Sequence, residues 1–236
     1  MNIVRPICLA LLSMSALACS GDDATGATEP VVVDTTDLRL AASSDTPDFP
    51  TSETAGVGAD VRLSPWTGSY RLSENDAVGT PTTVEGKQCV LYDGVDVNFA
   101  MSGEYLYVDV PCAVFRNSRF STSGSVANTS ALVQQSSENE LLNIEHCDFD
   151  GGPTHQRGVQ ADYGDVVVTA SEFARFGNAA VEMDDPSATR SFTVTDSYLE
   201  ETPGWANGDH VDGLQVGAGG AITIRHNTIL VAAYGG

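Results

Sequence analysis

A short phrase recurs five times in the second half of the chain. It reads AVFRNSRF (113–120), LNIEHCDF (142–149), VVVTASEF (166–173), FTVTDSYL (192–199) and AITIRHNTI (221–229). The phrases close on Phe120, Phe149, Phe173, Leu199 and Ile229, at steps of 29, 24, 26 and 30 residues. A strand-sized unit returning every 20–30 residues, with insertions of variable length between, is the pattern of a solenoid. Such a chain cannot bury one unit alone. Each coil needs its neighbours, and the stacked coils present flat, evenly spaced surfaces.

A second phrase repeats within the same period: ALVQQ (131–135), GVQAD (158–162), AVEMD (180–184) and GLQVG (213–217), which align on Gln134, Gln160, Glu182 and Gln215. Strand alternation sets the faces. Val133, Val159, Val181 and Leu214 point to the core, and the aligned Gln/Glu residues point outward. With parallel strands about 4.8 Å apart, those four side chains make a polar row about 14 Å long. In the first phrase, Ser118, Cys147, Ser171, Ser197 and Asn227 align as an inward ladder, so Cys147 reads as a rung rather than a reactive thiol. No window shows the i, i+3, i+4, i+7 apolar pattern of a helix. Turns rich in Gly, Asp, Asn and Pro separate the phrases. An all-β parallel β-helix is therefore expected. An antiparallel sandwich has no reason to repeat polar identity at one coil's spacing.

Composition bears on partners and compartment. Eleven basic residues stand against 32 acidic ones, for a net charge of −21. Nucleic-acid binding rests on neutralising phosphates with Lys and Arg and is not expected. Residues 1–18 read as a signal peptide: Arg5 is followed by an apolar run, Ile7 to Ala18, too short to span a bilayer. The run ends Ala16-Leu17-Ala18-Cys19, which resembles a bacterial lipobox with Cys19 as the lipidated residue; cleavage after Ala18 by an ordinary signal peptidase is the alternative. The expected product is an exported, monomeric lipoprotein of the outer membrane, or a secreted protein. Residues 19–62, rich in Ala, Ser, Thr, Gly and Asp, are expected to be a flexible acidic tether. Residues 63–236 are expected to be the β-helix. Because the chain stops just after a regular rung, C-terminal coils are expected to be missing. Three cysteines remain in the body, an odd number, with Cys89 and Cys112 the candidate pair.

The stretch GDHVDGLQVGAGGAITIRHNTI (208–229) resembles right-handed parallel β-helix proteins of the pectate-lyase-like superfamily. More narrowly, it resembles secreted bacterial β-helix proteins with a His-x-Asp-Gly-(Ile/Leu/Val)-Gln phrase followed by a rung like ITIRHNTI (222–229). TTVEGKQCVLYDGVDVNFAMSGEYLYVDVPCAVFRNSRF (82–120) is similar to the first coils of that group, so the resemblance covers about 65–232. It implies a right-handed coil and an activity on polysaccharide, by a lyase or glycoside hydrolase. It leaves open a non-catalytic glycan-binding or adhesion module and a structural shaft, because fold does not choose function. A looser likeness to polygalacturonases, with their Asn-Thr-Asp-Gly phrase, places Asp212 at a catalytic aspartate. Here His210-Val211 replaces Asn-Thr.

Asp212 and His210, two residues apart in an extended chain, suit general acid–base work. Glu182, one coil earlier, supplies a second carboxylate. Those three form the expected catalytic set. Gln215, Gln160, Asp209, Arg157 and Trp205 are expected to bind substrate, Trp205 from an insertion, EETPGWANGDH, that leads into Asp209. Asp162 and Asp184, equivalent in the repeat, are candidate Ca²⁺ ligands, since stacked carboxylates repel without a cation or hydrogen bonds.

Overall fold

A computed structural model describes residues 48–73, 78–101, 103–123, 128–137, 139–152, 155–183, 190–201, 212–217 and 220–231. The signal and lipobox segments, Cys19 included, lie outside these residues, as do Asp184, Trp205, Asp209 and His210.

Every regular element among the described residues is a strand. β1 (Ser64–Pro65) and β2 (Arg71–Leu72) are short starts, and β3 (Thr80–Val84) pairs antiparallel with β4 (Lys87–Asp93). From β4 the chain runs in triplets. The first is β4, β5 (Val95–Phe99) and β6 (Leu106–Val108). The second is β7 (Cys112–Arg116), β8 (Arg119–Thr122) and β9 (Asn128–Gln135). The third is β10 (Leu141–Glu145), β11 (Asp148–Asp150) and β12 (His155–Gln160). The fourth is β13 (Asp165–Thr169), β14 (Glu172–Phe176) and β15 (Ala179–Met183), and the fifth is β16 (Ser191–Thr195), β17 (Tyr198–Glu201) and β18 (Asp212–Val216). β19 (Ala221–Arg225) and β20 (Thr228–Val231) open another coil. Corresponding strands stack in parallel into three sheets: β4-β7-β10-β13-β16-β19, edged by β3; β1-β5-β8-β11-β14-β17-β20; and β2-β6-β9-β12-β15-β18. The protein is a parallel β-solenoid with three strands per coil.

The repeated phrase is thus two strands, one in the first sheet and one in the second, joined by a sharp corner. One residue per coil makes the bend in the left-handed region: Gly94, Asn117, His146, Ala170, Asp196 and His226, with φ between 48° and 66°. Gly, Asn and Asp tolerate that conformation, and Ala does so only under strain. The next residue is the inward rung. Ser118, Cys147, Ser171 and Ser197 are fully buried. Each rung's backbone N–H donates to the side chain one coil further on: Cys147 to Ser171 Oγ (3.1 Å), Ser171 to Ser197 Oγ (3.2 Å) and Ser197 to Asn227 Oδ1 (2.9 Å). Turning the corner takes these N–H groups off the sheet ladders, and the stacked side chains accept them, as burial demands. Cys147 belongs to this series. Burial pushes its thiol far above the ordinary range, which makes it inert.

The core is built the same way, coil on coil. Phe120, Phe149 and Phe173 share one register and stack with centroids 4.6 Å apart. Leu199 and Ile229 continue the row. Each buried Phe contributes about 2–3 kcal/mol from area alone, and stacked pairs add about 1 kcal/mol. Cys89 and Cys112 form a disulfide between the first two triplets.

The last stretch of the expected tether packs on the solenoid. Ala55 is buried, Gly56 N–H donates to Ala170 O (2.8 Å), and Val57 N–H donates to Asp148 Oδ1 (2.7 Å). Gly56 sits at φ +84°, and a Cβ there would strike the Asp148 carboxylate and the Glu172 side chain. Only glycine lets this strap lie so close.

Candidate functional site

The outward residues of the third sheet form one continuous row. Register pairs Arg71 with Tyr107, Tyr107 with Gln134, Gln134 with Gln160, Gln160 with Glu182 and Glu182 with Gln215. The row spans about 24 Å, at about 4.8 Å per rung. On the other side of each of these strands, Leu106, Val133, Val159 and Val181 fill the core, so the outward row cannot slip register without exposing them.

Its chemistry changes along its length. At one end, a cleft of about 540 Å³ is lined by Tyr70, Arg71, Tyr105, Tyr107 and Gln134. The Arg71 guanidinium lies 5.2 Å from the Tyr107 ring centre and donates from Nε (2.9 Å) and Nη2 (2.6 Å) to Asp109. Those bonds, followed by one from Ser136, hold the Asp109 carboxyl below the usual range. Burial, then the nearby acids, raises the phenols of Tyr70 and Tyr107, which stay protonated. In the middle, Gln134 and Gln160 are half-buried, and Gln160 donates to Asp162 Oδ2 (3.0 Å). Neither Gln134 nor Gln215 makes a side-chain hydrogen bond among the described residues.

Glu182 differs from the amides beside it. It is 3% exposed and paired with Arg157, whose strand position lies next to Ala179 on the same coil as Glu182. The guanidinium thus reaches a carboxylate three positions along the neighbouring strand from its own register partner. A buried carboxylate engaged in this way is poorly placed to give or take a substrate proton. Asp212, on the next strand of the same sheet, is in register with Ala179 and is half-buried. Its backbone N–H donates to Asn178 O (2.6 Å).

Of the residues singled out in the sequence, Gln160, Glu182, Gln215, Arg157 and Asp212 fall on this sheet, the first three in one row, and Asp162 follows the end of β12 by two residues. Asp184, Asp209, His210 and Trp205 lie outside the described residues. Among the described residues, no group of three or more His, Cys, Asp and Glu is placed to hold a metal ion. The aromatic end of the row was missed. Its signal is the alternation Leu106-Tyr107-Val108, which has the same in–out–in pattern as Val133-Gln134-Gln135 but a different outward residue.

The second sheet carries a contrasting outward row: Asp96, Arg119, Asp148, Glu172, Tyr198 and Thr228 in register. The strap crosses it at Asp148 and Glu172. Burial, then Asp148, Glu200 and Asp150, pushes the Glu172 carboxyl up to about 7. Burial also raises Asp148, against the Val57 N–H that donates to it.

No protein-family model, curated protein or solved structure matches the chain. Fold and face define it at the level of architecture, as a parallel β-solenoid with a register-locked polar face that ends in tyrosines.

Proposed function

We propose that the protein is an exported, cell-surface β-helix protein of the right-handed, pectate-lyase-like kind, lipid-anchored through Cys19, that binds an extended polysaccharide along the outward row of its third sheet. The row from Arg71 to Gln215 carries this reading. Its rungs advance by about 4.8 Å, close to the advance of one hexose unit in an extended glycan. Amides offer donor and acceptor together, which suits sugar hydroxyls, and the tyrosines offer faces for sugar rings. The test is retention on insoluble polysaccharides. The triple variant Gln134→Ala, Gln160→Ala, Gln215→Ala should bind at least about tenfold more weakly with an unchanged melting profile. A triple variant that binds like the parent sinks the reading. Export and anchoring rest on residues 1–19 alone; Cys19→Ser should move the protein from the membrane to the soluble fraction.

A second reading, cleavage of the bound chain, has one observation in its favour: half-buried Asp212 stands on the same strand as Gln215, three residues before it. With Glu182 engaged by Arg157, Asp212 is the acid this reading needs. Product release by the wild type and its loss in Asp212→Asn, with binding retained, would establish a lyase or hydrolase. Binding without product leaves a glycan-binding module.

A further inference from the structure

The outward face also bears on which polysaccharide it takes. Its two guanidiniums already have carboxylate partners. Arg71 donates through two nitrogens to Asp109, and Arg157 is paired with the buried Glu182. A uronate or sulfate group reaching for either would have to displace a protein carboxylate at no gain in charge. The other titratable side chains near the row, Asp162 and Asp212, are acidic, and the chain as a whole carries −21. A polyanion approaching this surface is repelled. Catching one electrostatically requires unpaired positive charge along the path, and the described face shows none. Arg190, at its edge, donates to the Asp162 carbonyl (2.7 Å) and lies over the Tyr163 ring.

What the face offers instead is neutral. Tyr70, Tyr105 and Tyr107 surround the cleft at its end, with Tyr105 and Tyr107 edge-to-face at 6.2 Å. Tyr70 and Tyr163 are 37% and 40% exposed. Aromatic faces recognise the C–H side of a sugar ring, and phenols and amides recognise its hydroxyls. The Arg71 guanidinium, 5.2 Å from the Tyr107 ring centre and bonded to Asp109, extends this platform while its charge is offset.

We propose that this face binds a neutral glycan, with the Tyr70–Tyr105–Tyr107 cleft as its principal sugar subsite; the proposal rests on the polysaccharide reading above. The full-length protein is titrated with a soluble neutral glucan and a neutral galactan, and in parallel with polygalacturonate and alginate, each at low and high salt. The expected result is binding of a neutral polymer that salt leaves unchanged, since screening acts on charge. Tyr107→Ala should weaken it about tenfold or more, and Tyr107→Phe should retain most of it. Gln160→Ala, a surface change away from the cleft, guards against a folding artefact in the tyrosine variant and should cost a few-fold.

Binding confined to the uronate polymers and lost at high salt would overturn the neutral class while leaving the polysaccharide reading intact. Neutral binding undiminished in Tyr107→Ala would overturn the subsite. Failure to bind any of the four polymers would remove both this proposal and the reading beneath it.

Discussion

The corner ladder and the outer row repeat at the same interval, yet they treat their polar groups in opposite ways. At the corner, Ser171 and Ser197 each accept a backbone N–H from the previous coil, and each donates its own hydroxyl to the carbonyl two residues back, Thr169 or Thr195. Every polar atom there is used by the fold. In the outer row, Gln134 and Gln215 make no side-chain bond among the described residues. Periodic polarity by itself therefore says nothing about function. What matters is whether the scaffold has already consumed the hydrogen-bonding capacity.

Glu182 is the sharpest test of that distinction, because it belongs to the outer row by register and to the interior by burial. Glu182→Ala removes the carboxylate facing Arg157 and should cost about 3 kcal/mol in denaturant unfolding. A cost as small as that of its Gln neighbours would return it to the surface class. Next in size, Ser171→Ala strands the buried Cys147 N–H and should cost about 2 kcal/mol. Cys147→Ser should be nearly neutral, since serine already fills that rung in other coils. Ala170→Gly relieves a left-handed alanine at φ 48° and should stabilise by about 1 kcal/mol, read as a rise in denaturation midpoint. Gln160→Ala should change stability by less than about 0.5 kcal/mol. A loss matching that of Ser171→Ala would erase the contrast between the two ladders.

The smallest effect concerns pH and the strap-covered row. The Glu172 carboxyl is raised in the folded protein, to about 7 from an ordinary 4.5. Its contribution to stability is complete below 4.5 and is lost as pH rises through 7. Melting temperature should therefore fall between mildly acidic and mildly alkaline buffer. The fall should be shallower in Glu172→Gln, since the remaining slope belongs to Asp148 and to the general acidity of the chain. Equal slopes in the two proteins would show that Glu172 does not feel the strap.

The scaffold was largely legible from sequence because stacking forces like onto like. Phe120, Phe149 and Phe173 must be similar to stack, and Ser118, Ser171 and Ser197 must be small acceptors. The third strand per coil was hidden inside the first phrase. The residue that makes the corner varies freely among Gly, Asn, His, Ala and Asp, and backbone conformation rather than side-chain identity is what recurs there. The site was half legible. The amide rungs repeat and so announce themselves. Arg71 and Tyr107 continue the same row with different chemistry, which only the strand register reveals. The pairing of Arg157 with Glu182 joins residues three positions out of register on neighbouring strands, a relation no linear spacing encodes.

The left-handed corner also divides the coil into a part that resists change and a part open to it. One bent residue and one buried acceptor connect the first two sheets in coil after coil, with no spare length at that edge. The spread of repeat lengths, from 24 to 30 residues, is taken up on the other side of the ladder residue. Such a molecule can acquire new loops during evolution, or receive grafted peptides in the laboratory, at its other two edges at little entropic cost. A single residue added between positions 117 and 118, or at any equivalent corner, would unthread the hydrogen bonds that hold neighbouring coils in step.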